Sequence, residues 1–297
     1  MVFKIIISLM NKNYFATLLI LASLWGSDFM FIKIGVRFIH PSYFTSLRFL
    51  IAAITLFIYL KLKGYSFKIE FKDILFVVLI AIVDVYLPQI LISLGEKNVA
   101  SGITSIILSS SPIFTFLLAH LLLKDEKITF YKLFFVILGF LGVFIIFQKE
   151  LKNSDRFILT GFIFILLASI TYSLGVILLK KLNIKINVFL SCFYLVLFAF
   201  FISIPFTIFS KGVTNSHFNI SGVLSLFYVG IVLQAFAYTF FLNAIRNFGA
   251  PKTSYVGYLV PIFSIVYGSI FLKEVLSINL FLGAFLILIS AYFIEKG

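Results

Sequence analysis

The feature that most limits what this chain can become is the spacing of its charges. Lys, Arg, Asp and Glu gather in short clusters, and between them run stretches of 17–24 mostly apolar residues. A bilayer core about 30 Å thick takes about 20 apolar residues of helix. Such runs are too long for the strands of a transmembrane barrel, and sustained polar–apolar alternation is absent. Ten runs lie near 14–34, 44–60, 74–94, 100–123, 130–147, 157–179, 188–209, 220–243, 251–272 and 278–294. Composition agrees: 62% of the residues are hydrophobic and 12% charged, against about 45–50% and about 25% in soluble domains. A soluble enzyme, a disordered chain and a disulfide scaffold are excluded. The single cysteine, Cys192, allows neither an internal disulfide nor a cysteine metal cluster. The expectation is an all-α integral membrane protein of ten transmembrane helices.

A net charge of +13 would point to nucleic acid in a soluble protein. Here Lys and Arg sit mostly between the runs, where they set orientation. With the N-terminus inside, fifteen fall on the cytoplasmic side and eight opposite, with Arg48 inside a run. A multi-pass protein of the cytoplasmic (inner) membrane with both termini in the cytoplasm is expected. No cleavable signal is evident. Residues 1–13 read as an interfacial extension, or Met10 as the true start.

The runs repeat. A shift of 149 residues sets Asn98 on Asn247, Thr104 on Thr253, Ser105 on Ser254 and Pro112-Ile113-Phe114 on Pro261-Ile262-Phe263. It also sets Leu123-Lys124 on Leu272-Lys273, Asp125 on Glu274 and Lys97 on Arg246. The unit is five helices, 14–149 and 157–294. Five is odd, so the second unit would thread the membrane in the opposite sense, an inverted repeat with its ligand site near the midplane. Chance similarity of apolar helices explains shared polar and proline positions poorly.

Three stretches carry a resemblance. They are Trp25-Gly26-Ser27-Asp28-Phe29 with Lys33-Ile34-Gly35; Pro41 followed by Arg48-Phe49; and a twice-used pattern of mid-helix proline, acidic turn and glycine-bearing helix. The last runs from Pro112 to Glu126 to Gly139 and Gly142, and again from Pro261 to Glu274 to Gly283. As a set they resemble the drug/metabolite transporter superfamily, EamA type. Two departures are Asp28, where that family usually shows asparagine, and the extra residue in Lys124-Asp125-Glu126. The resemblance implies a ten-helix carrier of small organic solutes whose helices 1, 3, 4, 6, 8 and 9 surround a cavity.

Independently, a substrate route is marked by groups that are costly in hydrocarbon. Asp28 and Asp84 are the acids well inside the runs, at about 2.5–3.5 kcal/mol each on insertion scales. Either is a candidate for taking up and releasing a proton. The alternatives are a neutral carboxyl bonded to Ser or Tyr, or an ion pair with Arg48. Pro88, Pro112, Pro205 and Pro261 free the carbonyls of Asp84, Leu108, Phe201 and Gly257. Pro88, Pro112, Gly257 and Pro261 are the hinge candidates. Trp25, Asp28, Asp84, Gln89, Ser110, Tyr172, Gln234, Tyr238 and Tyr258 are the pathway candidates. Tyr and Trp near run ends have a second role as interfacial anchors. His40, His120 and His217 lack ligand-like partners at i+3 or i+4, so no metal or cofactor is expected.

These features suit a secondary transporter of amino acids or related metabolites. It would work in the efflux direction, with a proton as candidate counter-ion, by alternating access and not as an enzyme. A passive channel or membrane scaffold is the alternative. An intramembrane lipid enzyme is disfavoured by the lack of HExxH, GxSxG or a paired acidic motif within a run.

Overall fold

A computed structural model describes residues 14–122, 129–151, 156–182, 187–248, 253, 255–275 and 277–296. The expectations placed on Met10 and residues 1–13, on Leu123-Lys124-Asp125-Glu126 and on Ser254 fall outside them. The described residues hold helices and no strand. In chain order we label α1 (Tyr14–Gly35), α2 (Pro41–Leu62), α3 (Phe71–Ile80, then Ala81–Tyr86 and Leu87–Glu96) and α4 (Ser101–Leu108, then Ser111–Leu122). They are followed by α5 (Phe130–Leu151), α6 (Arg156–Leu182) and α7 (Val188–Phe209). Last come α8 (Ile220–Phe227, then Tyr228–Ala237 and Tyr238–Phe248), α9 (Val256–Leu272) and α10 (Ile278–Lys296). Eight of these rods hold segments long and apolar enough to cross a membrane, and α9 and α10 supply the shorter apolar segments Val256–Leu272 and Ile278–Ile294.

The interruptions follow from local chemistry. Pro88 has no N–H to return to the Asp84 carbonyl, and the turn before it widens, with Leu87 N–H donating to Ile82 O, five residues back. Such π-helical turns are uncommon and cluster at functional sites. A second one occupies Tyr228–Ala237 of α8, where Tyr238 N–H donates to Leu233 O. In α4 the helix stops at Leu108 and restarts at Ser111, so Pro112 opens a new helix instead of bending an old one. That is where proline is best tolerated. The start of α2 is fixed likewise by Pro41, with His40 Nδ1 accepting from Ser42 N–H at 3.4 Å. Burial, and then the charge of Lys97, hold the His40 imidazole below its usual range, which favours that acceptor role.

Packing places α7 on α2, α9 on α1, α6 on α3 and α4, and α10 on α5. The π-helical turn of α3 lies against α6 and α7, while that of α8 lies against α1 and α2. Gly142 and Gly283 let α5 and α10 approach until their backbones almost touch: a Cβ on either would sit 2.7 Å from the other's carbonyl oxygen. The outer face of α5 exposes Phe134, Ile137, Leu141 and Phe144. Such an apolar surface is stable against acyl chains and costly in water.

Candidate functional site

Four helices meet around Arg48. Its guanidinium lies on α2 with 1% of the residue exposed. Nη1 donates to Gln89 Oε1 of α3 at 2.6 Å. Nη2 faces the Asp28 carboxylate of α1 at 3.4 and 3.5 Å. Gln89 passes the connection on, its Nε2 donating to the Tyr172 hydroxyl of α6 at 2.8 Å. One polar chain thus ties α1, α2, α3 and α6. Of the readings open for Asp28, the ion pair with Arg48 is the one realised. Arg48 Nε has no hydrogen-bond partner among the described residues.

A second polar group lies beside it. Asp84 sits in the widened turn of α3, 8% exposed, and its Oδ2 accepts from the Tyr238 hydroxyl of α8 at 2.9 Å. Gly175 of α6 makes this possible, because a Cβ there would collide with the Asp84 carboxyl. Gln234, in the corresponding turn of α8, is 5% exposed and its amide makes no hydrogen bond among the described residues. Trp25 packs its ring 4.7 Å from Phe241, and Ser27 bonds the Tyr228 hydroxyl at 3.0 Å, so α1 is held against α8 by aromatic and hydroxyl contacts.

The break in α4 is lined with hydroxyls. The Leu108 carbonyl, freed by Pro112, accepts from Ser111 Oγ at 2.6 Å and from Ser169 Oγ of α6 at 3.5 Å. Ser110 is buried and bonds Ile107 O at 2.5 Å and Ser169 Oγ at 3.2 Å. Across from it the Gly257 carbonyl, freed by Pro261, accepts from Ser109 Oγ at 3.4 Å. Backbone groups opened inside a membrane protein are tolerable where such partners re-satisfy them. A Cβ on Gly257 would meet nothing within 4 Å among the described residues. Tyr258 stands apart from the Arg48 chain, its ring 6.0 Å from Tyr255 and 6.4 Å from Tyr292 of α10.

The structure therefore brings Asp28, Gln89 and Tyr172 together through Arg48, which sequence reasoning named as a pairing partner and in the Arg48-Phe49 stretch but not among the pathway candidates. The signal was present: an arginine within an apolar run must be matched. Lys33, Glu96 and Glu274 were missed as a group of neighbouring charges, of which Glu96 is buried and the other two half-buried. Glu96 lies two residues beyond the expected end of the third run, Lys33 was counted at the outer end of the first run, and Glu274 was placed in the acidic turn. Glu96 is fully buried, and Glu274 holds the first turn of α4, accepting from Ser101 N–H at 2.8 Å, Ser101 Oγ at 2.9 Å and Gly102 N–H at 3.2 Å.

A model of the EamA-like transporter family matches residues 13–148 and again 159–295. An uncharacterized transporter of Archaeoglobus fulgidus is 30% identical over 92% of this chain and 95% of its own. The uncharacterized transporter YoaV of Bacillus subtilis is 26% identical over 89% and 90%. The uncharacterized inner membrane transporter YedA of Escherichia coli is 23% identical over 86% and 81%. A solved crystal structure has the same fold, with a TM-score of 0.63 over 93% of this chain and 96% of that one at 14% identity.

Proposed function

The chain belongs to the EamA-like transporter family, and we propose that it is a secondary carrier of small organic solutes, working by alternating access in the efflux direction. The observation that carries this reading is the Asp28–Arg48–Gln89–Tyr172 chain. It is a costly polar assembly, placed beside two widened helices and the α4 break, in a protein otherwise apolar. A scaffold gains nothing from such groups at that depth, whereas a solute with charged or polar groups needs them. Amino acids and related metabolites fit a wall of Trp25, Tyr172 and Tyr238 interrupted by a guanidinium, an amide and carboxyls.

Support for two inverted five-helix units comes from the double family match and from the packing. Exchanging the halves turns the α9-on-α1 contact into α4-on-α6, and the α8 turn on α1 and α2 into the α3 turn on α6 and α7. Ten transmembrane helices, both termini in the cytoplasm and a cytoplasmic membrane complete the reading. The α4–α9 seam is sealed at the Ser101–Glu274 end. At the Ser109–Gly257 end it is open, the second half of α4 turning to α6 and α10 instead. That asymmetry is what one state of an alternating carrier requires.

The test begins with a thermal-shift screen of the purified protein against amino acids, aromatic metabolites and drugs, because a ligand that binds the folded form raises its melting temperature. A labelled hit should then exchange across proteoliposomes saturably, with faster exit when unlabelled hit is present outside. Linear, non-saturating flux would favour a passive channel. Coupling to protons is part of the proposal: a pH gradient should drive accumulation. Asp84→Asn and Asp28→Asn test whether either central carboxyl carries the proton.

A further inference from the structure

Both carboxyls of the central site are already engaged, Asp28 by Arg48 and Asp84 by Tyr238. Glu96, at the end of α3, is 0% exposed, and neither carboxyl oxygen has a hydrogen-bond partner among the described residues. Leaving a charged carboxylate without donors or water costs several kcal/mol, so burial of this kind demands an occupant. The charged groups that face it are Lys33 and Asp28 of α1, Arg48 of α2 and Glu274 after α9. From α6, Gly161 and Ile165 pack against the neighbouring Gly95. Lys33 makes no salt bridge to it in this state. Its Nζ instead donates to Val99 O at 2.7 Å, a carbonyl just beyond the end of α3.

The same place is the sealed end of the α4–α9 seam. Lys273 adopts a left-handed conformation, φ 57°, which turns the chain so that Glu274 N–H returns to Gly268 O at 3.1 Å. The Glu274 carboxylate then lies on the first turn of α4, where helix N–H groups lack partners. Gly268 leaves room for it, since a Cβ would meet Glu274 Oε2 and Ser101 Oγ. Val99, held by Lys33, and Ser101, held by Glu274, are two residues apart, so the two tethers close one gate.

We propose that Glu96 is the proton-binding carboxyl of this carrier and that its proton is exchanged for the Lys33 ammonium as the Ser101–Glu274 gate opens. With its proton, Glu96 leaves Lys33 on Val99 and the gate shut. When the proton passes to water at the gate, the carboxylate draws the ammonium off Val99 and the closed arrangement loses one tether. The proposal rests on the carrier reading for its purpose, and names the coupling ion and where it binds.

Glu96 holds the gate as a carboxyl, so deprotonating it at high pH loosens the gate. In a Cys192→Ala background, Ser105→Cys places a thiol one turn inside the gate, at a position 1% exposed. Its rate of labelling by a polar maleimide in detergent, relative to that of an exposed thiol from Lys63→Cys, reports opening without any solute. The expected profile has an upper arm, a rise toward high pH no steeper than about tenfold per pH unit, the slope for one proton. Glu96→Gln should abolish the upper arm. Lys33→Gln should do the same, and Glu96→Asp should restore an upper arm. An upper arm that persists in both Glu96→Gln and Lys33→Gln overturns the proposal. That result leaves the carrier reading standing if the screened solute still exchanges saturably, whereas absence of exchange in the parent protein, with the upper arm intact, would overturn only the carrier reading.

Discussion

At an offset of 149 residues Pro112 faces Pro261, Gly26 faces Gly175, and the widened turn of α3 faces that of α8. At the same offset Asp28 faces Ile177, Arg48 faces Leu197 and Glu96 faces Ile245. The halves share a proline, a close-approach glycine and a widened turn, and differ in their charges. A helix break is needed wherever a rod must bend, so a device that rocks two units against each other uses it twice. A charge is needed once, at whichever wall meets the polar part of the solute or the coupling ion. The first half is therefore the chemical half, and the second supplies aromatic and amide walls through Tyr228, Gln234 and Tyr238.

The sharpest way to break this contrast is to remove the charge hub. Arg48→Ala leaves the buried Asp28 carboxylate unmatched and should lower stability by about 3–5 kcal/mol, read as a fall in melting temperature in detergent. Leu197→Ala, its counterpart in α7, should cost no more than about 2 kcal/mol, the low end for a truncated leucine. Adding Asp28→Asn to Arg48→Ala should recover part of the loss. Equal losses at 48 and 197 would mean that the arginine is held by packing alone.

Next come the paired glycines. A Cβ at Gly26 would meet Phe263 Cβ at 2.5 Å and Ser264 backbone nitrogen at 3.0 Å, so α9 itself must shift. At Gly175 the obstacle is the Asp84 side chain. Both Gly→Ala changes should destabilise, within the range of about 1–3 kcal/mol for overpacking, with Gly26 the costlier. Only the Gly175→Ala loss should shrink when Asp84 is also replaced by alanine, since contacting sites are non-additive. Equal relief at both positions would place Asp84 elsewhere.

A smaller effect separates the two widened turns. Tyr238→Phe removes the hydroxyl that reaches Asp84 and should cost about 1–3 kcal/mol. Gln234→Leu removes an amide with no hydrogen bond among the described residues, so stability should hardly change while affinity for the screened solute falls. Unchanged affinity would take Gln234 off the pathway.

How much of this was legible in the sequence depended on range. Helix positions followed from charge spacing, because a residue's need for water is a local property. Carbonyls opened by Pro112 and Pro261 were predictable for the same reason, and serine hydroxyls do re-satisfy them. The hub at Arg48 was not, because it joins α1, α2, α3 and α6 across up to 41 residues of sequence on one side, from Arg48 to Gln89, and 83 from Gln89 to Tyr172. Glu96 was missed for a different reason. Charge near a run's end looks solvated in one dimension, and only the packing of α1, α6 and the α9 end around it shows that it is not. The widened turns had no signal beyond Pro88 in α3, and none in α8.

The smallest predicted effect concerns the open end of the α4–α9 seam. Ser109 Oγ reaches Gly257 O at 3.4 Å in an exposed contact, longer than the usual hydroxyl–carbonyl distance. Water can replace it, so Ser109→Ala should cost less than about 0.5 kcal/mol, below the usual net value of a hydrogen bond. Ser111→Ala, on the buried side, takes from the Leu108 carbonyl its 2.6 Å donor and leaves it Ser169 at 3.5 Å, so its cost should be the larger of the two. The kinetic effects should run the other way. A tie between the two halves at their breaks slows their separation, whereas a tie from Ser111 to Leu108 lies within α4 and moves with it. Exchange of the screened solute should therefore quicken in Ser109→Ala and stay near the parent rate in Ser111→Ala. The reverse ranking would mean that motion occurs within α4 and not between α4 and α9.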